Sequence, residues 1–89
     1  MLSLELETLD QLLTGDMPFP VIASLYPTPD ACKNGVLGLL HEGDVVLLDS
    51  ERTEVPQWQW RQLFSTSRLQ EDLRNFRLRI TSQGAKKLA

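Results

Sequence analysis

The chain has 89 residues, of which 42% are hydrophobic and 24% charged, and its formal net charge is −3. This length predicts one domain over residues 1–89, and the hydrophobic fraction excludes an intrinsically disordered chain. A single cysteine, Cys32, excludes an intrachain disulfide, and the N-terminal segment lacks the basic start and apolar run of a signal peptide. No apolar stretch approaches the ~20 residues that span a bilayer. We therefore expect a cytoplasmic protein that does not enter a membrane.

The first half of the chain carries the pattern of helices. Leucines recur every three or four positions over residues 3–14, with Ser3 as the N-cap and Gly15 at the end. Residues 20–26 follow, bounded by prolines, and they predict a helix of two turns. A strand is the alternative there, because this segment contains two adjacent β-branched residues.

A third helix and the first clear strand come next. Thr28 is a suitable N-cap, followed by proline at the first helical position, and Gly43 supplies the stop. Gly35 and Gly38 interrupt this helix, which indicates either a close backbone approach or a weak helix. Residues 44–49 are β-branched and apolar, and they predict a strand.

The second half alternates short helices with one strand. After Pro56 the spacing of aromatic and leucine residues favours a helix, although the two tryptophans also alternate as they would in a strand. Ser67 begins a capping-box sequence and therefore a further short helix. Residues 76–80 alternate between apolar residues and arginine, which predicts a half-buried strand. Thr81 is the predicted N-cap of a last helix over residues 82–88.

Charge is unevenly distributed along this order of elements. Residues 1–49 contain eight acidic residues and one basic residue, whereas residues 50–89 contain four acidic and eight basic residues. Such an asymmetry is typical of a nucleic-acid-binding portion. It equally fits two oppositely charged halves that attract each other within one fold.

Two segments of the chain resemble a winged helix-turn-helix domain. Residues 36–46, a leucine-bearing helix end with a glycine leading into a strand, are similar to the junction of that family's third helix and first wing strand. Residues 76–88 are similar to the second wing strand and the Thr-x-x-Gly-x-x-x-Leu helix start that follows it. The resemblance implies an α+β fold with three N-terminal helices, a small antiparallel β wing and a short C-terminal helix. Here residues 50–75 would enlarge the wing by a helical insertion.

Membership of that family would imply DNA contact through the third helix and the wing. The predicted recognition helix is atypical, because Asp30 near its start would be repelled by phosphates. The candidate DNA-binding residues are Lys33, Asn34, Arg77, Arg79, Lys86 and Lys87.

The insertion carries the strongest signal for a protein partner or for self-association as a homodimer. Tryptophan and arginine are enriched at the energetic centres of protein interfaces, and both lie close together here. The alternative is that the tryptophans fill the core, and we expect one to be buried and one exposed. The candidate partner-binding residues are Trp58, Trp60, Arg61 and Phe64.

The sequence has no pattern that predicts catalysis, a metal or a cofactor. The single histidine, His41, lies nine residues after Cys32 on one helix, about 13.5 Å further along its axis and on the opposite side. Cys32 belongs to the apolar stripe, so we expect a core thiol. We therefore expect a non-enzymatic protein-interaction or adaptor domain, with a DNA-binding transcriptional regulator as the alternative.

Overall fold

The α+β prediction is confirmed by a computed structural model, which describes residues 4–66 and 68–88. Six helices and one three-stranded antiparallel sheet make up this part of the chain. In chain order the elements are α1 (Leu4–Leu12), β1 (Met17–Pro18), α2 (Phe19–Ala23), α3 (Pro29–Glu42), β2 (Val45–Leu48), α4 (Gln57–Leu63), α5 (Leu69–Asp72), β3 (Arg77–Ile80) and α6 (Ser82–Lys86).

Local capping signals set both ends of α3 and the start of α6 where the sequence predicts. Helix α1 instead ends at Leu12, before the predicted stop at Gly15, and α6 ends at Lys86. The Thr28 side chain accepts a hydrogen bond from the Ala31 amide at 3.1 Å and so caps α3. Gly43 ends that helix in the left-handed conformation, with φ of 80°. Thr81 caps α6 in the same way as Thr28 caps α3. The predicted N-cap Ser3 and the capping-box residue Ser67 lie outside the described residues.

The sheet differs from the prediction by one additional strand. Its order is β1-β3-β2, and both pairings are antiparallel. The short strand β1 was not predicted, because two residues that include a proline carry no strand pattern. Its pairing depends on the neighbouring edge of β3, where Met17 lies opposite Leu78. The strand alternative for residues 20–26 is wrong, since α2 is helical over Phe19–Ala23.

The core lies between the helices and the sheet and includes part of the insertion. The side chains of Phe19 on α2, Leu78 on β3 and Phe64 just after α4 are all inaccessible to solvent. The Phe19 and Phe64 ring centroids are 5.9 Å apart. The insertion between β2 and β3 is therefore anchored in the same core as the first three helices. No helix in the described part of the chain is long and apolar enough to cross a bilayer.

The two glycines inside α3 have different surroundings. A Cβ atom at Gly35 would lie 2.7 Å from Cε2 of Tyr26, whereas one at Gly38 would meet no atom within 4 Å. The Tyr26 hydroxyl forms a buried hydrogen bond of 2.8 Å with the Thr8 hydroxyl on α1. Close approach therefore explains Gly35, which leaves room for the Tyr26 side chain beside α3. The packing gives no reason for Gly38.

Candidate functional site

Helix α4 packs on the domain by one face only. Phe64 at its C-terminal end is fully buried, and Leu63 is partly buried against the core. Trp60 packs beside them, and its indole Nε1 donates a hydrogen bond to the Val55 carbonyl at 3.1 Å. The sequence spacing that favoured a helix here is therefore the spacing of its buried face. The opposite face is left to solvent.

Helix α3 presents a stripe of side chains towards α4. Lys33, Leu37 and His41 are spaced by four residues, so they lie on one side of the helix. The His41 ring meets Trp60 edge-on, with the ring centroids 5.3 Å apart and an interplanar angle of 77°. This contact links the C-terminal end of α3 to the insertion.

A groove of about 1000 Å³ runs between these two helices and opens to solvent. Its apolar lining comes from the exposed Trp58, the partly buried Leu37 and Trp60, and the buried Phe64. Lys33 and Arg61 contribute positive charge, and none of the lining side chains is acidic. The residues around the groove are Lys33, Leu37, His41, Gln57, Trp58, Trp60, Arg61, Phe64 and Ser65.

The two tryptophans have different roles in the groove. Trp58 leaves 76% of its surface exposed, whereas Trp60 is partly buried and hydrogen-bonded. The expectation of one exposed tryptophan is met by Trp58, whereas the other, Trp60, is only partly buried. The structure brings all four candidate partner-binding residues to one groove, although Phe64 is fully buried. Lys33, a candidate DNA-binding residue, joins them.

Two of the basic residues that are candidates for DNA binding form ion pairs with acidic residues from the first half of the chain. Arg77 donates from Nε to Asp16 Oδ2 at 3.0 Å, and this guanidinium holds the pKa of Asp16 below its ordinary value. Lys87 Nζ lies 2.6 Å from Oδ2 of the buried Asp44 and 2.5 Å from Glu42 Oε2. Hydrogen bonds to these two carboxylates raise the pKa of Lys87, and Lys87 lowers the pKa of Glu42.

The other candidate DNA-binding residues lie on separate elements. Asn34 is exposed on α3, Arg79 on β3 and Lys86 on α6. None of the three lines the groove. The predicted basic edge of the wing thus contains one arginine already paired with Asp16, and one lysine already paired with two acids.

The chain's thiol is part of the core rather than of a reactive site. Cys32 is buried on α3, and desolvation raises its pKa to about 11, which confirms the core-thiol interpretation. Over residues 4–66 and 68–88, no group of three or more histidine, cysteine or acidic side chains could hold a metal ion.

Sequence reasoning missed the contribution of α3 to the groove. Neither Leu37 nor His41 was expected to lie beside the tryptophans, and Lys33 was a candidate only for DNA contact. Their spacing of four residues, shared with Lys33, does predict that these side chains form one stripe on α3, separate from the stripe of buried residues. What the spacing does not specify is that α4 returns to lie beside that stripe.

Comparison with known proteins adds no constraint on the site. No protein-family model, curated protein or solved structure matches the chain. The groove, its charge and the exposed tryptophan are therefore the features of the molecule that bear on its function.

Proposed function

We propose that the chain is a winged-helix-type protein-interaction domain, whose groove between α3 and α4 binds a segment of another protein. The order of helices and strands supports this architecture, as does the antiparallel pairing of β2 with β3. The insertion between those strands enlarges the wing and supplies one wall of the groove. Binding, rather than catalysis, is the function that such a surface supports.

The exposure of Trp58 is the observation that carries the proposal. A tryptophan with 76% of its surface in water, beside further apolar groups, leaves a large apolar area without a partner. Tryptophan and arginine dominate the binding energy of protein interfaces, and Arg61 lies one helical turn from Trp58. Trp60 and Phe64 hold α4 rigidly, so little conformational entropy is lost when a partner binds.

DNA binding is the less favoured alternative, because α4 lies beside the helix that would enter the major groove. Lys33 lines the groove with α4 instead of standing free at the start of α3. Asp30 is exposed in the first turn of that helix, where it would face phosphate. Because Arg77 and Lys87 are already paired, phosphate contacts by these two residues would require breaking ion pairs.

The test is selection of ligands from a phage-displayed library of random 12-residue peptides, panned on the purified chain. We expect enriched peptides to lose at least about tenfold in affinity for Trp58→Ala, since a truncated hot spot costs ~2 kcal/mol or more. Leu13→Ala is the matched control, because Leu13 is 51% exposed on the α1 side and does not line the groove. Enrichment that does not depend on Trp58, or no enrichment, would contradict the proposed function.

A further inference from the structure

The groove has a charge opposite to that of the protein. The chain contains 12 acidic residues against nine basic ones, yet no acidic side chain lines the groove. Lys33 stands on the α3 side and Arg61 on the α4 side. His41, near the C-terminal end of α3, adds two hydrogen-bonding nitrogens. A ligand that spans the groove therefore meets hydrogen-bond donors on both walls.

The apolar part of the groove lies between these polar groups. Leu37 is four residues from both Lys33 and His41, so the apolar surface on α3 is flanked at each end by a nitrogen-bearing side chain. On α4, Trp58 and Arg61 are three residues apart and form a second mixed pair. The complementary ligand has an apolar centre flanked by acceptors of hydrogen bonds.

The length of the groove limits the size of the ligand. The nine residues from Lys33 to His41, which are eight steps apart, span about 12 Å along α3, slightly more than two helical turns. The groove is lined by side chains of two helices and of the two residues after α4, and within residues 4–66 and 68–88 no strand contributes to its lining. A strand would therefore find no backbone ladder to join, whereas the apolar face of a short helix fits between two helices.

We propose that the occupant of the groove is an acidic amphipathic helix of a partner protein. Its aliphatic or aromatic residues, spaced by three or four, contact Trp58, Leu37 and Trp60. Its carboxylates, on either side of that apolar face, pair with Lys33 and Arg61. This inference rests on the proposed function and adds the chemistry of the partner to it.

A single-stranded nucleic acid would also offer negative charge and flat rings for Trp58. The short acidic helix is favoured because a nucleic acid extends beyond the groove, over a surface that is acidic as a whole. Two permanent cations suit a few carboxylates better than a continuous phosphate backbone. A second copy of this chain, offering the exposed acids of its own α1, is the other occupant that the test distinguishes.

The composition of the selected peptides tests the inference. Among clones that lose binding to Trp58→Ala, we expect acidic residues to outnumber basic ones and to flank leucine, phenylalanine or tryptophan at helical spacing. A representative fluorescein-labelled acidic peptide should bind the double variant Lys33→Glu, Arg61→Glu about tenfold or more weakly, in a fluorescence anisotropy titration. Arg79→Glu, a charge reversal at an exposed position outside the groove, should leave its affinity within about twofold.

Other outcomes overturn the inference in distinguishable ways. Trp58-dependent clones that are neutral or basic would contradict the acidic ligand and leave the proposed function standing. Clones indifferent to Trp58→Ala would contradict both. Equal competition by a 20-nucleotide single strand would assign the groove to nucleic acid, and a dimer by light scattering that Trp58→Ala dissociates would assign it to a second copy.

Discussion

At the scale of single residues, the domain depends on one place where a side chain is absent. Gly35 on α3 is covered by the ring of Tyr26, whose hydroxyl bonds to Thr8 on α1. A methyl group at Gly35 would displace that ring and its buried hydrogen bond. Gly38, three residues later on the same helix, faces open space.

These two glycines predict opposite effects of the same substitution. Gly35→Ala should lower the free energy of unfolding by about 1–3 kcal/mol, because it overpacks the contact with Tyr26. Gly38→Ala should raise it by ~0.5–1 kcal/mol, since alanine is the better helix former and nothing obstructs its Cβ. Urea denaturation of the two variants measures both changes. Equal effects at the two positions would show that helix propensity alone matters.

At the scale of elements, α4 combines a face that packs against the core with a face exposed to solvent. Phe64 contacts Phe19 in the core, and Trp60 is held by Val55 and His41. Trp58 lies on the other side and takes no part in the core. The same short helix therefore holds the segment between β2 and β3 to the domain and presents a large hydrophobic side chain to solvent.

We expect substitutions on the buried face of α4 to lower stability, and substitutions on its exposed face to weaken binding without lowering stability. Phe64→Ala should cost roughly 3–5 kcal/mol of unfolding free energy, since it leaves a cavity against Phe19. Trp58→Ala should change that free energy by less than about 0.5 kcal/mol, because most of its surface is already in water. Thermal and urea unfolding provide the comparison. A large loss of stability in Trp58→Ala would mean that its binding defect reports misfolding.

At the scale of the whole molecule, basic residues of the second half of the chain form ion pairs with acidic residues of the first half. Arg77 pairs with Asp16, 61 residues earlier, and Lys87 pairs with Glu42 and Asp44 of the acidic half. These contacts support the interpretation that the two halves attract each other. They also reduce the positive charge that the second half could offer to a nucleic acid.

We therefore expect the protein to bind duplex DNA weakly or not at all. Fluorescence anisotropy with a mixed-sequence duplex, in a salt series from about 50 to 200 mM, should show no steeply salt-dependent binding. The double variant Arg77→Ala, Arg79→Ala should behave like the original protein in this assay. Strong binding at low salt that this variant abolishes would favour the DNA-binding regulator over the interaction domain.

The sequence by itself determined the elements whose signals are local. Thr28 and Gly43 define α3, because a capping hydroxyl and a left-handed glycine act within a few residues of the helix they end. The alternation of apolar residues with arginine likewise predicted β3, and the aromatic spacing after Pro56 predicted α4. Four candidate interface residues followed from composition and spacing in the same way.

Only the tertiary structure decided how these elements meet. The pairing of β1 with β3, the position of α4 beside Lys33 and Leu37, and the ion pair of Arg77 each join residues distant in sequence. The exposure of Trp58 also depends on which face of α4 finds the core. Periodicity describes the faces of a helix, but which face is buried depends on the surface it meets, and chain topology and the summed packing of the core determine that surface.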